Sequence, residues 1–128
     1  MNTIDFDEVV SNRLESIKNT LLIKAKEYAK GDEDRLHNFN RGAQITGQSR
    51  EKVLQGFMLK HLVSVFDMID DPSKATEYMI EEKVGDAINY LILLEASFKD
   101  RLNNQKLENE YLIANIKSKQ GLTYSNKE

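Results

Sequence analysis

The chain has 128 residues, 40% of them hydrophobic and 30% charged, with a formal net charge of −3 and a sequence pI near 5.5. That length predicts one domain, able to bury a core but close to the size at which oligomers help, and the acidic balance gives no general attraction to nucleic acid or to an anionic membrane. The lack of cysteine excludes disulfides and thiolate zinc sites, and with no signal-peptide pattern or long apolar run a soluble cytoplasmic protein is expected.

One proline, six glycines and apolar residues recurring at three and four predict an all-α chain. The expected architecture is an antiparallel bundle of about four helices, oligomeric, spanning residues 1–120, with a loose tail at 121–128. From about Ile4 to Lys30 the positions Phe6, Val9, Val10, Leu14, Ile17, Leu21, Ala25 and Tyr28 keep that spacing. They predict one long amphipathic helix with Gly31 as its C-terminal stop. Lys24 and Tyr28, four apart on the polar face, form the pair there that could border a site. Solvation of that face is the simpler reading.

Residues 31–48 keep no period and hold three of the six glycines, which predicts a long connection with one short helical turn. Leu36 and Phe39 are expected to anchor it to the core, leaving Asn38, Arg35 and Arg41 as candidate ligand contacts. Ser49 is the expected N-cap of a helix reaching about Ile69, closed by Asp70, Asp71 and Pro72. Leu54, Met58, Leu62, Val65 and Ile69 form its predicted core face. Gly56, Lys60, Ser64 and Asp67 lie on the other side, with His61 and Met68 beside them.

The turn at Asp71–Pro72 is short, so the next helix packs antiparallel to this one. It starts at Thr76, and Ile80, Val84, Ala87, Leu91 and Leu94 share one face at about 100° per residue. Glu82, Asp86 and Asn89 share the opposite face. Beyond Ala87 the stretch to Leu94 is nearly apolar all round, the mark of a helix enclosed by protein. Its polar row therefore calls for a partner, because buried carboxylates are costly unless paired, hydrogen-bonded or bound to a cation. A last helix is expected from roughly Leu102 to Lys119, either continuing this one or kinked from it, with an apolar stripe suited to another subunit.

The two polar rows, Lys60, Ser64 and Asp67 on one helix and Glu82, Asp86 and Asn89 on its neighbour, are flanked by His61, Lys83 and Tyr90. Carboxylates one turn apart present oxygens to a common point, and Glu82, Asp86 and Asp67 are the candidate ligands of Mg²⁺ or Mn²⁺. Lys60 offers a point charge to phosphate. The combination suits a nucleotide or another phosphate-bearing small molecule. The alternative is a self-satisfied polar layer in which Lys60 pairs with Asp67 or Asp86 and fixes register without chemistry. His61 and His37 are too isolated for a histidine metal site, and neither a Gly-rich phosphate loop nor a serine triad is present.

The succession KAKEYAKGDEDRLHNF, GFMLKHLVSVFDMI and EEKVGDAINYLILLEA resembles small helical proteins of bacteriophage genomes whose function is mostly unassigned. The last segment is similar to the second acidic motif of the MazG-like all-α nucleoside triphosphate pyrophosphohydrolases, in which a glutamate and an aspartate one turn apart bind magnesium. The resemblance implies a four-helix, oligomeric, nucleotide-processing fold with Glu82 and Asp86 as metal ligands and catalytic residues. The earlier Glu-x-x-Glu of those enzymes has no counterpart between Val53 and Ile69. Two readings of other classes stand beside hydrolysis: a phage protein that sequesters a nucleotide such as a host immune signal, and a protein that inhibits a host protein through its acidic surface.

Overall fold

The computed structural model describes residues 1–24 and 34–125, with side chains as far as residue 121. The expectations at Ala25, Tyr28, Lys30 and Gly31 lie outside the described residues. Four α-helices carry the fold, with no strand among the described residues: α1 (Thr3–Lys18), α2 (His37–Thr46), α3 (Arg50–Asp70) and α4 (Gly85–Ser125). A π-helical segment, Asn19–Lys24, follows α1. Between α3 and α4 come a 3-10 turn (Pro72–Lys74), one helical turn (Glu77–Met79) and a second π segment (Ile80–Val84). The all-α bundle expected from the sequence is what the chain forms. Its contacts divide it into two compact units, Met1–Glu95 and Ala96–Glu128.

The helix starts follow from side-chain caps. Asn2 Oδ1 accepts from the Asp5 backbone N–H at 2.8 Å, Ser49 Oγ from Lys52 N–H at 3.2 Å, and Thr76 Oγ1 from Met79 N–H at 3.2 Å. Each occupies one of the backbone donors that a helix leaves unpaired in its first turn. Asp71 ends α3, where its carboxylate accepts from the Ser73 hydroxyl at 2.9 Å and pairs with Lys74 at 2.8 Å. Those hydrogen bonds, the one from Lys74 first, hold its carboxyl below the usual aspartate value.

The stretch read as a loop with one turn is instead the ten-residue helix α2. Its entry is organised by Asp34, which accepts from the Leu36 amide at 2.9 Å and from the Asn40 side-chain amide at 3.0 Å. Asn40 in turn accepts from the Arg50 guanidinium at 3.2 Å, tying α2 to the start of α3. Gly42, which weakened the helix signal, is where α2 comes close to α3: a Cβ there would stand 3.0 Å from Val53 Cγ1. Gly47 ends the helix at φ 68°, the left-handed conformation that glycine adopts without strain.

The core is thin. Among the described residues the buried apolar side chains are Leu36, Leu54 and Ala87, with Leu54 only 1% exposed. Met58, Leu62 and Val65 are half-buried, while Ile69, expected to join them, is exposed, as are Ile80 and Leu91 of the next expected core face. The π segment at Ile80–Val84 explains part of this, since its wider turn shifts the phase of every residue after it relative to a regular α-helix. Ile88, Tyr90, Ile92, Leu93 and Leu94 are half-buried. In the second unit the last helix continues the preceding one without a break, past Gly121 to Ser125. There Leu102, Leu107, Tyr111, Leu112, Ile113 and Ile116 are all exposed. No described helix is long and apolar enough to cross a membrane.

Candidate functional site

The antiparallel turn after α3 brings part of the two polar rows together. His61 Nδ1 lies 3.4 Å from Asp86 Oδ2, at the long end for a hydrogen bond. The His61 imidazole also packs on the Tyr90 ring, with centroids 4.8 Å apart and planes 22° from parallel. One turn earlier on α3, Phe57 is nearly parallel to Tyr90 at 6.4 Å, and Phe39 of α2 meets Phe57 edge-on at 6.0 Å. Three helices thus contribute to one row of rings with Asp86 at its edge. Phe57 remains 54% exposed. Burial, and next the charge of Asp86, push the Tyr90 phenol above its ordinary value.

The remaining residues do not join this group. Glu82, in the π segment, accepts a hydrogen bond from the Tyr78 hydroxyl, which with the Glu82 charge raises the Tyr78 phenol above its ordinary value. Asp67 and Ser64 line a different feature, an open cavity of about 390 Å³ shared with Met68, Lys74, Met79 and Lys83. The Ser64 hydroxyl donates back to the Lys60 carbonyl at 3.2 Å. The Lys60 side chain is exposed, and its ammonium has no partner among the described residues. Asn89 is half-buried, and its Oδ1, shut off from solvent, has no donor among the described residues.

On the other elements, Asn38 is exposed, and Arg41 donates to Gln44 at 3.2 Å within its own helix. Arg35 donates to the Leu21 carbonyl. Lys24 is exposed at the end of the first π segment, and Tyr28 lies outside the described residues.

Three carboxylates, Glu82, Asp86 and Asp67, were the expected ligands of Mg²⁺ or Mn²⁺. Among the described residues no group of three or more His, Cys, Asp or Glu side chains converges closely enough to hold a metal ion. Tyr78 donates to Glu82 and also feels the charge of Asp86, Asp86 lies against His61, and Asp67 lines the cavity.

Two parts of this region were not read from the sequence. Phe57 was passed over, although its position four residues before His61 puts both rings on one face of α3. The second is a clasp on the π segment, where Ser16 Oγ donates to Glu81 Oε1 at 2.6 Å and Arg13 reaches Glu81 Oε2 at 3.3 Å. Arg13 also donates to the Glu81 backbone carbonyl at 3.4 Å. No protein-family model, curated protein or solved structure matches the chain.

Proposed function

We propose that the protein binds a nucleotide or a closely related phosphate-bearing small molecule and retains it without hydrolysis. The observation that carries this reading is the ring row Phe57–Tyr90–His61, half open to solvent, with the Asp86 carboxylate against it. An aromatic platform holds a base by stacking, worth about 1–3 kcal/mol per base. A carboxylate beside it accepts hydrogen bonds from sugar hydroxyls, and the exposed Lys60 ammonium, on the same helix as His61, supplies a charge for phosphate. Sequestration is favoured over pyrophosphohydrolysis because, among the described residues, no three acids or histidines converge as the ligands of a divalent cation.

The test is mass spectrometry of whatever small molecule leaves the purified protein on denaturation, followed by calorimetric titration of the emptied protein with that molecule. Tyr90→Ala is expected to weaken binding by about 1–3 kcal/mol and Lys60→Ala by about 1.5–3 kcal/mol, the scale of a hydrogen bond to a charged group. Failure of any nucleotide to copurify or to bind would reject the reading. Release of pyrophosphate from a nucleoside triphosphate in the presence of Mg²⁺ would replace sequestration with catalysis.

A further inference from the structure

α3 is apolar on two sides. One side holds Leu54, Met58, Leu62 and Val65 and faces the rest of the first unit. The other holds Leu59, Val63 and Phe66, which are 57%, 48% and 56% exposed. Gly56 lies in line with them, and a Cβ added there would meet nothing within 4 Å. A helix apolar on both sides belongs between two protein surfaces, and the described residues supply only one of them.

The order of residues along this outer stripe identifies the second surface. At about 100° per residue, Lys52, Gly56, Leu59, Val63, Phe66 and Asp70 fall within about 80° of arc. Their spacing is four, three, four, three, four, the period of a two-helix seam, and it reads the same in both directions. The series runs over about 27 Å of helix. An antiparallel copy related by a two-fold axis at the level of His61 therefore puts like positions opposite one another. Lys52 faces the partner's Asp70, Gly56 faces the partner's Phe66, and Leu59 faces the partner's Val63, with each pairing repeated across the axis.

Every pairing is complementary: a cation against an anion, the smallest residue against the largest, and one branched aliphatic against another. Self-complementarity of one patch is what an isologous dimer requires. A different partner would need none of this palindromic order. We infer that the outer face of α3 is the interface of a homodimer, formed by antiparallel packing of α3 against the α3 of a second copy.

The test is sedimentation equilibrium of the full chain, with circular dichroism to confirm helix content. Wild type is expected to be a dimer. Val63→Glu places two like charges in the seam at a position already exposed in one chain, and is expected to give a folded monomer. Lys52→Glu sets acid against acid at both ends of the seam and is expected to raise the dissociation constant about tenfold or more. The double variant Lys52→Glu with Asp70→Lys exchanges the charges and is expected to restore it to near the wild-type value. A monomeric wild type, a Val63→Glu variant that still dimerises, or a charge exchange that fails to rescue Lys52→Glu would each overturn the inference.

Discussion

Tyr90 is the residue through which three side chains of the candidate site meet, since it touches Phe57 and His61 and feels the charge of Asp86. Burial, followed by that charge, holds its phenol above the ordinary value of 10.0, so the folded state keeps the proton more tightly than the unfolded chain does. The corresponding stability is complete below pH 10 or so and is lost as the pH rises through the higher folded value. Tyr78 is raised too, first by its hydrogen bond to Glu82, and acts in the same window. Tyr90→Phe keeps the ring contacts and removes the titrating group. It is expected to leave urea midpoints near neutrality almost unchanged while making their fall between about pH 9 and 12 shallower. An alkaline fall as steep as that of wild type would assign the loss to Tyr78 and other groups. The proximity of His61, Asp86 and Tyr90 was legible because Asp86 lies on a polar row, the other two flank the rows, and a short turn makes the two helices antiparallel. Phe57 was not, because an apolar residue on an apolar helix carries no signal until its ring partner is known.

Helix identity was legible wherever period and cap agree, as at Ser49 and Thr76, and illegible where glycine or a π turn intervenes. Gly42 was read as loop because glycine lowers helix propensity, yet it sits inside α2 where Val53 of α3 approaches. The π segment before α4 carries no sequence mark of its own. The Arg13–Ser16–Glu81 clasp joins α1 to that segment. Gly85 gives it room, since a Cβ there would lie 2.5 Å from Arg13 Nη1. Alanine in place of a helical glycine gains roughly 0.5–1 kcal/mol when nothing opposes it. Gly85→Ala is expected to show that gain in an Arg13→Ala background, where the guanidinium is gone. In the wild-type background the displaced ion pair should cancel it, a partly exposed pair contributing about 0.2–1 kcal/mol. Urea denaturation of the four proteins measures the coupling, and effects that add within about 0.3 kcal/mol would show that Arg13 does not occupy the space over Gly85.

At the scale of the molecule the decisive quantity is how little one chain buries. Leu54, Leu36 and Ala87 are the apolar side chains buried among the described residues, whereas Phe66, Val63 and Leu59 on α3 and Phe6, Val9 and Leu14 on α1 stay in water. Folding must offset about 1–2 kcal/mol of backbone entropy per ordered residue, and burial of apolar area is its main source. If a second copy covers the α3 stripe, association is linked to folding, and stability depends on protein concentration by mass action. For a folded dimer that unfolds to two chains, each tenfold increase in concentration adds about 1.4 kcal/mol. The urea midpoint of wild type is therefore expected to climb steadily with concentration, and that of Val63→Glu to stay at the wild-type value found on high dilution. A wild-type midpoint independent of concentration would mean that the folded chain does not self-associate. The apolar outer face of α3 would then need an explanation other than self-association.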